Sequence, residues 1–444
     1  MRVTQRALIA VATAATLAFP ATGLAADYPP ASDPGKGPKN PPKGGTLKVC
    51  KKGCKYNKIQ KAIDAAGKGT TVRVGKGTYK EGVKILSSTK DRVKLVGDPK
   101  NPGNVILEGR GLKGSPAQNG VFVNSADNVT VDGFHIRHYK GNGIFVVNVD
   151  GYKLKHIVAE EVGTYGLYAF NSKGGSMTDS EAFYNNDSGF YVGQTPPQTK
   201  PKRTTLKNLV SWGNVLGYSG TNSRYVTITK SKFFNNGLGI VPNVLDSEKF
   251  MPHEDNAIVD NDVFWNNYNY YAGAPFKLGN EATGTPYPVG TGILLFGGKT
   301  TRVENNRIWG NYLVGYGAIS QFLLKEADLP LGVLEGNQVR GNKFGLDGGA
   351  DKNGRDLFYD GSGSGNCFEN NSLQSPNVPA DNSTFAACPK TDNNAFSSAA
   401  RNEALGWVAD STHEQFWVRS EHTPIDGITP LEHWTAAYPH PEVK

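Results

Sequence analysis

The chain predicts an all-β fold, a right-handed parallel β-helix built of roughly 22–25-residue coils with an N-terminal capping helix. Three observations predict it. A short phrase recurs first: Gly120 is followed by Val-Phe-Val, Gly143 by Ile-Phe-Val, Gly166 by Leu-Tyr-Ala-Phe and Gly189 by Phe-Tyr-Val, with 23 residues between successive glycines. The phrase resumes at Gly217 and Gly239. A second line keeps the same period, since Val131-Asp-Gly-Phe-His-Ile136 aligns with Leu154-Lys-His-Ile-Val-Ala159 and Met177-Thr-Asp-Ser-Glu-Ala182, and copies continue to Leu334-Glu-Gly-Asn337. Third, each unit holds short alternating runs rich in Val, Ile, Phe and Tyr, separated by Asn-Asn, Asn-Gly and Ser-Gly pairs. That is strand patterning interrupted by corners that need positive φ, and no unit contains a helix-length stretch. The Leu-x-x-Leu-x-Leu frame of a leucine-rich repeat is absent.

The elements follow in order. Residues 1–26 have Arg2 and Arg6, an apolar run from Ala7 to Phe19 and small residues ending in Leu24-Ala25-Ala26, the pattern of a secretory signal peptide. Its removal takes the formal charge from +8 to +6. The expected location is therefore secreted or extracytoplasmic, in the cell envelope, with no transmembrane segment in the mature chain. Residues 27–45 form a Pro/Gly/Lys-rich linker with nothing to bury. Nine lysines lie between Lys36 and Lys61. They read as a solvated face, or as a surface for anionic cell-wall or matrix polymers. Nucleic acid is not the expected partner, because the aromatic residues sit in rung positions rather than among the basic ones.

Residues 46–390 are expected to form one β-helix domain. Tyr56 to Gly67 predicts an amphipathic helix, with Ile59, Ala62, Ile63 and Ala66 on one side. It would cover the open apolar end of the solenoid. Four cysteines in an exported chain point to disulfides: Cys50 with Cys54, and Cys367 with Cys388. Asn185-Asn186, Asn235-Asn236, Asn266-Asn267, Asn305-Asn306 and Asn370-Asn371 recur near corresponding corners and predict a stacked amide ladder. Residues 391–444 are expected to be an irregular tail along the coil or over its end, with His413, His422, His433 and His440 at the surface.

Tyr56-Asn-Lys-Ile-Gln-Lys-Ala-Ile-Asp-Ala-Ala66, followed by Gly77-Thr-Tyr-Lys-Glu81, resembles the entry segment of the pectin-lyase-like superfamily, from roughly Cys50 to Asn371. The Ile-Val-Pro-Asn…Leu-Asp-Ser-Glu rung from Gly239 to Glu248 is similar to that of secreted β-helix repeat proteins of this superfamily without an assigned activity. The pectin methylesterase context Gly-Thr-Val-Asp-Phe-Ile-Phe-Gly and the polygalacturonase Asn-Thr-Asp and Gly-Asp-Asp motifs are missing. Phe250-Met-Pro-His-Glu-Asp255 is similar to the Asp-Pro-His-Asp motif of mannuronan epimerases, with Met251 in place of the first Asp.

Residues 244–256 interrupt the period, and insertions in a solenoid build walls where function gathers. Uronate lyases and epimerases must neutralise a carboxylate, remove the neighbouring proton and deliver another. The expected roles are His253 as base, Lys249 or Arg224 as carboxylate neutraliser, and Tyr225 or Tyr191 as acid. Asp246, Glu254, Asp255, Tyr191, Tyr270 and Tyr271 are expected to contact substrate, the latter two from a second excursion at 268–288 whose rings could instead seal the coil. Asp347, Asp351, Asp356 and Asp360 lie in a glycine-rich stretch whose oxygen donors suit Ca²⁺, or simply form turns. The expected function is binding or modification of an acidic, uronate-type polysaccharide, by lyase or epimerase chemistry if catalytic. The alternative is a non-catalytic envelope structural or adhesion protein. A copper-processing role lacks a Met- or Cys-rich tract, since there are only three Met.

Overall fold

The computed structural model describes residues 44–268, 287–346 and 351–410. The expected signal peptide, nearly all of the linker, Tyr270, Tyr271, Asp347 and the four tail histidines lie outside the described residues.

Each repeat winds once through short parallel strands. A ten-stranded sheet stacks Val83–Leu86, Asn119–Asn124, Asn142–Val147, Leu167–Phe170, Ser188–Gly193, Leu216–Thr221, Leu238–Asn243, Thr291–Phe296, Val314–Ile319 and Leu357–Tyr359, every neighbour parallel. The remaining runs form an eighteen-stranded sheet, apart from Gly298–Lys299 and Leu334–Glu335, which pair with each other in a small third sheet. Its long members, such as Val129–Arg137 and Tyr152–Glu160, bend at one left-handed residue, Gly133 (φ 78°) and His156 (φ 50°). Each coil therefore has three corners and makes the right-handed parallel β-helix that the repeat predicts. Inward residues such as Ile144, Val146, Phe190, Tyr218, Ile240, Ile293 and Tyr316 fill one continuous core.

The recurring glycine has a steric cause. A Cβ on Gly143 would lie 2.5 Å from the Gly166 carbonyl oxygen of the next coil, and the same clash repeats from Gly166 to Gly189. The strands stack too closely there for a side chain. Gly143→Ala is expected to destabilise the fold by about 1–3 kcal/mol, read as a lower melting midpoint by differential scanning fluorimetry.

The asparagines form three ladders rather than one. Asn185, Asn214, Asn236, Asn266, Asn311 and Asn353 link coil to coil at the corner entering the ten-stranded sheet. Asn261, Asn306, Asn342 and Asn371 do so between the two runs of the larger sheet. Asn337, Asn366 and Asn394, preceded by Thr301, do so at the corner leaving the ten-stranded sheet. In Asn235-Asn236, Asn305-Asn306 and Asn370-Asn371 the first residue takes the left-handed conformation and the second points inward.

The capping helix α1 spans Ile59–Ala65, shorter than the apolar spacing implies, because Lys58 is already extended at φ −126°. Glu81 accepts from both Ile59 N–H and Gln60 N–H at 3.0 Å, closing the helix start. The buried Lys90 ammonium donates to the Asp64 and Ala66 carbonyls at its end. Ile59, Ala62 and Ile63 are buried in the core. Both disulfides form as paired from the sequence. The tail is not wholly irregular. A second helix, α2, spans Ser398–Asp410, and Ala400, Ala404 and Trp407 pack on Phe358 and Ile319, on the outer face of the ten-stranded sheet. Arg401 pairs with Asp360 at 2.7 Å beneath it.

Candidate functional site

The insertion after Leu238–Asn243 is fastened down rather than opened into a groove. Asn222 donates to the Leu245 and Glu248 carbonyls at 2.7 and 2.9 Å. Lys249 N–H donates to Gln194 Oε1, and Tyr191 O–H donates to Glu248 Oε1 at 2.7 Å. The buried Arg224 guanidinium pairs with Glu254 and donates to the Thr195 and Phe250 carbonyls. Asp255 accepts from the Thr300 hydroxyl, and Asp246 faces Lys325 at 3.8 Å.

His253 does not face solvent. It is 1% exposed and stands in the coil interior, its Nδ1 3.0 Å from Ser223 Oγ and its Nε2 3.2 Å from Thr301 Oγ1. The corner leaving the ten-stranded sheet carries an inward polar residue in coil after coil, and His253 with Asn256 fills that register. Burial, and then the nearby Arg224 charge, push its pKa down to about 3. A base sealed from solvent cannot abstract a substrate proton, so the expected catalytic role of His253 is corrected to a structural one. Arg224 is likewise engaged by Glu254, and Tyr225 occupies a left-handed corner (φ 56°). Of the five residues given expected catalytic roles, Lys249 alone has an exposed side chain. The set does not converge.

The aspartates proposed for Ca²⁺ are dispersed as well. Asp351 accepts from the Trp265 indole N–H at 3.1 Å. Asp356 accepts from Asn353 and from the Gln374 and Ser375 backbone. Asp360 is fully buried against Ser362 and Arg401. Among the described residues no group of three His, Cys, Asp or Glu side chains is arranged to hold a metal. In the second excursion, Tyr268 is buried with Val215, Leu216, Leu238 and Val289, so this ring seals the coil.

A different set of side chains does assemble, on the outer face of the larger sheet. Strand register places Glu108 beside Arg137 and Arg137 beside Glu160. Arg137 Nε donates to Glu108 at 2.9 Å. His138 Nδ1 lies 2.8 Å from Glu108, while its Nε2 lies 3.3 Å from Glu161 and 2.9 Å from Arg110 Nη2. His135 meets Glu160 at 2.6 Å. Burial opposes a charge on His138, but the Glu161 and Glu108 carboxylates outweigh burial and the repulsion of Arg110, raising its pKa above the ordinary value. Burial also opposes ionisation of Glu108, yet the Arg110 backbone N–H, His138 and Arg137 hold its carboxyl below the usual range.

His138 and Glu161 both occupy left-handed corners (φ 61° and 46°), a corner filled in later coils by Tyr184, Gly213, Asn235, Trp265 and Gly310. The strip remains partly open, with Arg137 about a third exposed. It continues into a ladder of Phe183, Trp212, Phe234, Phe264 and Trp309 with nearly parallel rings, 4.7 Å apart at Phe183–Trp212 and 4.3 Å at Phe264–Trp309. The rings cover one another's faces, so the ladder offers edges, not a platform for sugars. Reading the repeats in register reveals the charged strip: Arg137-His138 and Glu160-Glu161 stand 23 residues apart in lines that already align.

A model of the right handed beta helix region matches residues 103–272. Among solved structures, XylC in complex with xylose is similar at 9% identity over 73% of this chain and 75% of that one, with a TM-score of 0.50. The Azotobacter vinelandii mannuronan C-5 epimerase AlgE4 A-module is 15% identical over 75% of this chain and 87% of its own, with a TM-score of 0.46. Pectate lyase Pel9A is 13% identical over 80% and 90%, with a TM-score of 0.40. No curated protein matches. The coils, corners and ladders define a parallel β solenoid. Specifically, the chain folds as a right-handed parallel β-helix.

Proposed function

We propose that this protein binds an acidic, uronate-type polysaccharide outside the cytoplasm, along the strip of Arg110, Arg137, His138, Glu108 and Glu161. One observation carries the reading: two arginines and a histidine share a partly open face, with His138 held at left-handed backbone between two carboxylates. Arginine suits carboxylate recognition through its planar fork of donors, and protonating His138 adds a positive charge among them. The signal-like residues 1–26 and the two disulfides support an extracytoplasmic site of action. Binding is the part of the expected function that this geometry favours. Modification at 244–256 has lost its base, which favours the non-catalytic alternative for that insertion.

The test is retention of the mature protein on immobilised polygalacturonate. Retention is expected to strengthen as pH falls through the His138 titration, and Arg137→Gln with His138→Gln should abolish that pH dependence. A pH dependence unchanged in the double variant overturns the reading.

A further inference from the structure

The capping end of the solenoid carries cations that its own acids do not neutralise. The Cys50–Cys54 disulfide closes a loop that presents Lys51 and Lys52, with Lys55 just beyond and Lys58 and Lys61 at the start of α1, all exposed. Register sets Lys48 directly opposite Arg73 on adjacent parallel strands, a like-charge pair that costs stability unless something anionic lies over it. The neighbouring acids are engaged elsewhere. Glu81 caps α1, Asp64 accepts from Gln60, and Asp91 pairs with Lys68 at 2.9 Å. No ion pair among the described residues joins Lys51, Lys52, Lys55, Lys58 or Lys61 to a carboxylate.

The patch is also held in place. The Lys51 stem packs over Gly77, where a Cβ would lie 3.1 Å from Lys51 Cγ, and its ammonium sits 4.5 Å from the Tyr79 ring centre. The Lys55 ammonium lies 5.5 Å from the Tyr56 ring centre. Cations fixed by a disulfide and by ring contacts lose less freedom when a ligand arrives. Because both rings already carry an ammonium, no open platform remains on which nucleic-acid bases would stack.

We propose that this disulfide-closed cap is a docking face for a linear polyanionic glycan, separate from the histidine strip and independent of any activity there. The ligand chemistry is a row of carboxylates displacing counterions from the lysines.

The experiment measures polygalacturonate affinity over a salt series for the full chain and for the variant Lys51→Ser, Lys52→Ser, Lys55→Ser and Lys58→Ser. The expected result is at least about a tenfold loss of affinity at low salt and a shallower salt dependence in the variant, as counterion release requires. The pH dependence assigned to His138 should survive, so failure of the cap and failure of the strip are distinguishable. An unchanged salt slope overturns the proposal. Binding to duplex DNA as tight as to polygalacturonate at equal salt also overturns it, because the face would then lack preference for glycan. Reduced and reoxidised Cys50–Cys54 protein provides a second reading without substitution: affinity is expected to fall on reduction and return on oxidation, and affinity indifferent to both contradicts a preorganised face.

Discussion

Replacing His253 with asparagine is expected to flatten the acid side of the stability profile. In the folded protein this imidazole titrates at about 3, whereas in the unfolded chain it has its ordinary value of 6.5. Between those values the unfolded chain takes up a proton that the native state refuses. Native stability therefore falls by about 1.4 kcal/mol for each pH unit below 6.5 until about pH 3 is reached. Asparagine does not titrate, and it can still hydrogen-bond to Ser223 or Thr301. At neutral pH the variant is expected to lose about 1–3 kcal/mol, from imperfect replacement of the buried contacts. Its deficit should shrink as the solution is acidified. Denaturant midpoints for both proteins across this range check the sign. A difference that does not change with pH contradicts the interior placement.

The second large effect concerns the Asn305-Asn306 pair. Asn306 Oδ1 accepts from the Asn261 backbone N–H and side-chain amide, both at 3.0 Å. Its Nδ2 donates to the Ile258 carbonyl and to Asn342 Oδ1, both at 2.9 Å. Asn306→Ala leaves these buried groups without partners in the core and is expected to cost about 3 kcal/mol or more. Asn305 is exposed at φ 56°, and its backbone N–H donates to the Arg340 carbonyl at 3.1 Å while the ladder runs through Asn306, so Asn305→Gly should be nearly neutral. Urea unfolding of the two variants separates the roles. Equal losses would mean that the pair does not divide into a corner residue and a ladder residue.

The coils were legible because the glycine spacing reports a stacking contact, and the two lines of the repeat report successive strands. The corners were legible as pairs, but not which corner each pair occupies, since Asn236 and Asn306 belong to different ladders. The insertion was legible as an interruption, yet the direction of His253 was not. One residue of slip exchanges inside for outside, and the period that would fix the register is broken around residues 244–256. The charged strip was present in the aligned lines, but it emerges from comparing equal offsets across coils rather than from any local motif. The tail helix was encoded too, in the spacing of Ala400, Ala404 and Trp407, although its polar composition concealed it.

We propose that the outer strip makes this solenoid a proton-responsive binder of acidic polysaccharide. The most direct measurement is calorimetric titration of polygalacturonate into the mature protein and into His138→Gln, at mildly acidic and mildly alkaline pH and fixed salt. The predicted result is tighter binding at acidic pH in the native protein and equal binding at both in the variant. No binding at either pH, or binding whose pH dependence persists without His138, would contradict it.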